Sequence, residues 1–196
     1  MSQPLELTAR LLGEDTWPDF EAMFARHKGV RGGCWCAFYL TNATQYEQLG
    51  RDGRREYHRA LALKGLARGI LLYDGEGPVA WCQFGPPEVL VRHGRGRDYV
   101  KLVEGGLEPP DWRITCLFTD KRRRGVGISV HALRAALREI ARLGGGLVEA
   151  FPFDIPGKGH NQHTGSVDMF LREGFEPVTR LGLITLLMRR RIESAD

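Results

Sequence analysis

The residues best placed to do chemistry lie between Trp112 and Leu143. WRITCLFT, residues 112–119, reads as a buried strand, and DKRRRGVG after it reads as a short basic turn. A helical pattern follows at once. Val130, Leu133, Leu137 and Ile140 share one face of it, and Gly144-Gly145-Gly146 stops it. Glycines at such a junction let backbone N–H groups turn inward, the helix N-terminus adds partial positive charge, and Arg122, Arg123 and Arg124 supply donors. This is an anion site, and a diphosphate is its natural guest. A Walker loop is not supported, because G-x-x-x-x-G-K-[ST] is absent. Nor is a dinucleotide turn, because after Gly125-Val126-Gly127 the third glycine position holds Val130.

Two further groups of residues carry reactive chemistry. Cys116 lies mid-strand, where core packing competes with a nucleophilic role, and free cysteine is among the most buried residue types. Cys34-x-Cys36 with His160-x-x-His163 has the ligand types of a zinc site. Its C-x-C spacing is unlike the usual pattern and its halves are far apart, so no metal is expected. Trp35, Phe38 and Tyr39, with Trp81, Phe84 and Trp112, are either core or the wall of an acceptor pocket.

The elements that must position these groups follow from local patterns. Leu5–Leu12 reads as a strand, and a capping-box spacing at Thr16 opens a helix that ends near Lys28. Residues 31–40 read as loop or short extended chain, and 46–67 as a longer helix. Residues 69–73 and 78–84 flank a Gly turn and form a hairpin. Residues 92–110, with Arg92, Arg95, Arg97 and Lys101, read as a loop excursion and as the segment that sets specificity. Leu147–Phe151 is a strand, Val167–Glu173 a short helix, and Glu176–Arg190 a final strand pair. Hairpins at both ends and mixed elements between them predict an α+β single domain over residues 1–196.

The basic turn resembles the acetyl-CoA loop of the GCN5-related N-acetyltransferases (GNAT), R/Q-x-x-G-x-G/A. Arg122-x-x-Gly125-x-Gly127 matches it literally, and Arg124-x-x-Gly127-x-Ser129 matches with serine last. The second frame is preferred, because it sets the arginine five residues after Thr119. The hairpin, the strand before the loop, the helix after it and the run Met169 to Phe175, with its late Gly174-Phe175, fall in the family's order. Gly33-Cys34-Trp35-Cys36 with Trp81-Cys82 and Thr115-Cys116 is similar to a bacterial subgroup of uncharacterised acetyltransferases.

The resemblance implies a GNAT-like fold, with a mixed central sheet, helices on both faces and two splayed central strands. It implies acetyl-CoA as co-substrate and direct transfer to a primary amine of a small molecule or protein. Leu117, Phe118, Thr119, Arg124, Gly125, Val126, Gly127, Ile128 and Ser129 would hold the cofactor, with Asn161 a further contact. Glu149, on the strand bordering the acetyl group, is the candidate base; the alternative is a sheet glutamate paired to an arginine. His160 and His163 are weaker candidates for proton relay, the alternative being solvated loop histidines. The family's general acid is a tyrosine four residues before the late glycine, and here that position is Phe170. An acyl-CoA sensor of the same fold and an RNA-directed acyltransferase are the alternatives.

Composition bounds the rest. Of 196 residues, 42% are hydrophobic and 27% charged, which supports a sizeable core and excludes disorder as the main state. The 25 glycines carry no G-x-y period, which excludes collagen. A net charge of +4 is a weak field for nucleic acid, which is not expected as a partner. The N-terminus MSQPLELTAR lacks an apolar signal core and no run reaches membrane-span length, so the expectation is a cytoplasmic protein with reduced thiols and no membrane partner. A homodimer is compatible with these features.

Overall fold

The computed structural model describes residues 6–155 and 163–195. Its strands are β1 (Thr8–Leu11), β2 (Arg68–Asp74), β3 (Gly77–Gly85), β4 (Trp112–Thr119), β5 (Gly146–Ala150), β6 (Glu176–Leu181) and β7 (Thr185–Ile192). They form one sheet in the order β1-β2-β3-β4-β5-β7-β6. The helices are α1 (Trp17–Ala25), α2 (Ala43–Leu63), α3 (Arg97–Glu104), α4 (Ile128–Arg142) and α5 (Val167–Arg172). Among the described residues no helix is long and apolar enough to cross a membrane.

Strand alternation builds a core on each face of the sheet. Ile70 and Leu72 of β2 pack with Leu133 and Leu137 of α4 on one face. Leu71 and Trp81 pack with Phe20 and Phe24 of α1 on the other. The expected mixed sheet with helices on both faces is what the chain forms.

The centre of the sheet opens where the chemistry was expected. β4 and β5 run parallel, pairing only through Trp112–Ile114 and Val148–Ala150. Beyond Ile114, β4 continues to Thr119 while β5 ends at Ala150, so the two strands splay. A β-bulge lies at the start of the splay. Cys116 faces Gln83 and Ile114 faces Phe84, which leaves Thr115 over. Thr115 Oγ1 donates to Gln83 Oε1 at 3.0 Å, and Gln83 Nε2 donates to the Cys36 carbonyl at 3.0 Å. The bulge is thereby tied to the 31–40 segment. It also switches faces, for Ile114 and Leu117 join one core while Cys116 and Phe118 join the other.

Three local expectations are corrected, and for residues 31–40 the loop alternative is the one the chain adopts. Thr16 does not cap α1: its hydroxyl donates to the Leu11 carbonyl at 2.7 Å and accepts from Gly13 N–H at 2.9 Å, closing the turn before the helix. The long helix begins earlier, at Ala43, because Asn42 accepts from Gln45 N–H at 2.9 Å, and it breaks at Gly50. Residues 92–110 are not all loop, since a 3-10 turn (His93–Arg95) and α3 lie within them. Residues 31–40 fold as successive turns, and Arg31, Trp35 and Cys36 hold positive φ.

Candidate functional site

The turn between β4 and α4 is organised by one buried carboxylate. Asp120 is fully buried, and it accepts from Arg122 N–H at 3.0 Å, from the Arg122 guanidinium and from Arg26, with His27 at 3.5 Å. Burial opposes its charge, but the bonds from Arg122, Arg26 and His27 prevail and hold its carboxyl well below the usual range. Arg123 pairs with Asp74 at 2.8 Å and with Glu76 at 2.8 Å. Arg122 and Arg123 are therefore structural. Arg124 donates to the Thr119 carbonyl at 3.3 Å and has no acidic partner among the described residues. This division of labour favours the frame Arg124-x-x-Gly127-x-Ser129.

Gly125 and Gly127 hold φ of +85° and +76°, and an added Cβ at either would meet nothing within 4 Å. Their glycines thus answer to backbone conformation, and the space beside them is open. That space is a cleft of about 1000 Å³, at the upper end of the range for ligand sites. Leu117, Phe118, Thr119, Arg124, Gly125, Gly127, Ile128 and Ser129 line it. Val126 is not on the wall and points to solvent, 58% exposed. Arg31, Lys121, Arg124 and Arg172 border the cleft without an acidic partner among the described residues, against Asp168. The cleft suits a large polyanion that carries an apolar or amide arm. Leu117, one of the residues expected to hold the cofactor, donates its N–H to the His163 carbonyl at 2.6 Å.

His163 also lines the cleft. Its Nδ1 is buried without a partner, and its Nε2 lies 3.3 Å from Tyr39 Oη. Burial, helped by Arg31, lowers its pKa to about 4, so the ring is neutral at pH 7. Behind it, Tyr39 stacks on His93 at 4.9 Å between centroids, and His93 stacks on Phe151 at 3.7 Å. His160 and Asn161, the other candidates from this loop, lie outside the described residues.

Glu149 is placed differently from the expectation. It is fully buried and absent from the cleft wall. Tyr99 Oη donates to Oε2 at 2.8 Å, Arg113 Nε lies 3.4 Å from Oε2, and Arg189 Nε donates to Oε1 at 3.1 Å. A carboxylate engaged by two guanidiniums and a phenol has no free lone pair facing a substrate. The base assignment is corrected to the alternative: an arginine-paired glutamate that anchors β4, β5, β7 and α3 to one another.

Phe170 is likewise buried and packs edge-on against Phe175 at 5.1 Å, while its neighbour Met169 reaches the cleft. Cys116 Sγ lies 3.1 Å from Cys36 Sγ in the core, and burial raises the Cys34 and Cys36 thiols. None of Cys34, Cys36 and Cys116 lines the cleft. Of the aromatic group, Trp35, Tyr39, Trp81 and Phe84 are buried in the core. The sequence reading missed His27, Val30 and Arg31, which line the cleft from the turn after α1. Their positive neighbours, in the run His27-Lys28-Gly29-Val30-Arg31, were the available signal.

No family model matches the sequence, and no curated protein matches it. Solved structures do match in fold. A mosquito arylalkylamine N-acetyltransferase like 5b is 12% identical, with 95% of this chain and 100% of that one covered at a TM-score of 0.57. A histone acetyltransferase HPA2 and related acetyltransferase from Corynebacterium glutamicum is 16% identical, with 98% of each chain covered at a TM-score of 0.56. A GNAT family N-acetyltransferase from Escherichia coli, solved in complex with CoA, is 15% identical, with 98% of this chain and 84% of that one covered at a TM-score of 0.51. These likenesses establish the GNAT-like fold.

Proposed function

We propose that this chain, which has the GNAT-like fold, is an acyltransferase that moves the acetyl group of acetyl-CoA directly to a primary amine. The observation that carries this reading is the cleft. It begins at an arginine–glycine turn on the N-terminus of α4 and runs along Leu117 to Thr119, the part of β4 beyond its pairing with β5. A CoA-bound neighbour of the same fold supports the choice of anion.

Each step is assigned to residues of this chain. The N–H groups from Gly125 to Ser129, with Arg124 and Lys121, hold the pyrophosphate. The free edge of β4 from Leu117 to Thr119 pairs with the arm, and the bond between Leu117 and His163 yields to it. His163 takes the proton from nitrogen once the carbon–nitrogen bond has formed. The ammonium of that adduct is far more acidic than a free amine, so an imidazole held near pKa 4 still serves. Tyr39 keeps the ring in place through its hydroxyl. With Phe170 buried, the thiolate leaves without a phenol at that position.

That same absence favours a second reading, an acyl-CoA sensor without turnover. Calorimetry with CoA and thiol release from acetyl-CoA over a panel of primary amines separate the two. Stoichiometric binding with amine-dependent release is the expected result. Binding without release for any amine would leave the sensor, and absence of binding would remove both.

A further inference from the structure

Three of the four cysteines gather on one face of the sheet. Cys116 of β4 lies in the core that α1 covers, and Cys36, from the turns of residues 31–40, meets it there with the two Sγ atoms 3.1 Å apart. Cys34 is half-buried beside them, and Cys82 belongs to the core on the opposite face. We propose that Cys36 and Cys116 are a modification site, a thiol pair that hydrogen peroxide converts to a reversible disulfide, stapling the 31–40 turns to β4. The inference is independent of the acetyltransferase reading.

Proximity is the first argument. The two residues are 80 positions apart in sequence, so the fold alone brings them together. Gln83 holds both sides of the pair. It faces Cys116 across the β3–β4 ladder, donates from Nε2 to the Cys36 carbonyl at 3.0 Å, and accepts from Thr115 Oγ1 at 3.0 Å. Bonded sulfurs stand about 2.05 Å apart, so closing the disulfide asks for about 1 Å of approach.

Access is the second. Both thiols are buried, and burial pushes the Cys36 thiol well up, so the closed pair reacts slowly. The turns that cover it supply the opening. Val30, Arg31, Trp35 and Cys36 hold φ of 57°, 45°, 50° and 51°, a left-handed conformation that is costly for side-chain-bearing residues and most of all for β-branched Val30. A run strained in this way opens at lower free energy than the regular strands beneath it. Trp81 Nε1, buried with no other partner, sits beside the Cys36 sulfur and favours its thiolate. Cys36 is therefore the attacking sulfur.

The chemistry is the third. Hydrogen peroxide is small and uncharged, which suits a buried target. The Cys36 thiolate attacks one peroxide oxygen, the O–O bond breaks, and the departing hydroxide takes up the thiol's proton as water, leaving a sulfenic acid. The Cys116 sulfur then attacks the Cys36 sulfur, the S–O bond breaks, and a second water carries off the Cys116 proton. Two thiols lose two electrons and two protons, and one peroxide becomes two waters. The bridge constrains the unfolded chain and fixes the run that carries Arg31 and Tyr39 to the cleft.

The test treats the full folded chain with hydrogen peroxide, then unfolds it in iodoacetamide for mass spectrometry. Two of the four thiols should escape alkylation, in a peptide pair joined through Cys36 and Cys116, and dithiothreitol should return all four. The oxidised protein should have the higher urea midpoint. Cys34→Ser should still form the bridge, and Cys116→Ala should not. A pair joined through Cys34, sulfinic acid without a joined pair, or four free thiols after peroxide would overturn the proposal. A bridge that leaves the midpoint unchanged or lower would refute the staple. Should either variant fail to fold, the peptide map of the parent protein decides alone.

Discussion

Glu149 shows how a side chain's partners decide its role. A carboxylate in the middle of an apolar strand demands a compensating charge, and Arg113, Arg189 and Tyr99 provide it. Glu149→Gln should therefore act on stability. Removing one member of a buried ion cluster typically costs about 3–5 kcal/mol, read as a lower urea midpoint. A folded Glu149→Gln protein that lost a hundredfold in kcat with little change in midpoint would return Glu149 to the proton path. His163 is the contrasting case, a neutral ring on the cleft wall with one nitrogen unpartnered. His163→Ala should lower kcat by roughly 10²–10⁴-fold if the ring takes the proton. A rate within a few-fold of the parent would move that step to water.

At the scale of the element, the β4–α4 turn combines three devices. Asp120 fixes its start, Arg124 faces the cleft, and Gly127 adopts a left-handed conformation as the residue that opens α4. A β-branched residue at Gly127 would strain the backbone by about 1–2 kcal/mol and fill the space next to the helix N-terminus. Gly127→Val should thus remain folded by circular dichroism yet lose CoA binding in calorimetry. Unchanged affinity in the folded variant would refute the assignment of the turn. The bulge at Thr115 is a second device, because it sends β4 away from β5 and opens the gap that the turn serves.

At the scale of the whole molecule, three imidazoles among the described residues are held neutral, His58 fully buried and His93 and His163 half-buried. His58 donates from Nδ1 to the Trp35 carbonyl at 2.7 Å, and burial lowers its pKa to about 4. His93 and His163 are lowered likewise, to about 3 and about 4. Unfolded, each would titrate near 6.5, so between about pH 4 and 6.5 the unfolded chain binds more protons than the folded one. Stability is then full above about pH 7 and falls as pH drops through that window. His58 alone contributes a slope of up to about 1.4 kcal/mol per pH unit, and the other two add with the same sign. Urea midpoints at pH 7, 6 and 5 should decline steadily, and His58→Gln should flatten the decline. A midpoint constant from pH 7 to 5 would contradict the neutral state of these rings in the fold.

Much of this was legible in the chain itself. Trp112–Thr119 shows as a strand because its residues are β-formers bounded by a charged turn, and Ile128–Arg142 shows as a helix because its apolar residues recur with helical period. The arginine–glycine turn between them announces an anion because backbone conformation and charge are local properties. What tertiary structure alone decided are the properties that depend on partners distant in sequence. Arg122 and Arg124 read alike until Asp120, Arg26 and His27 come together around one of them. Glu149 reads as a base until β7 and α3 bring Arg189 and Tyr99 to it. Residues 92–110 read as loop because glycines and arginines mask the eight-residue α3, whose Tyr99 is buried by distant residues, Glu149, Phe151 and Leu187 among them. A side chain's charge state and direction are set by what surrounds it, and in this fold those surroundings come from strands and helices far apart along the chain.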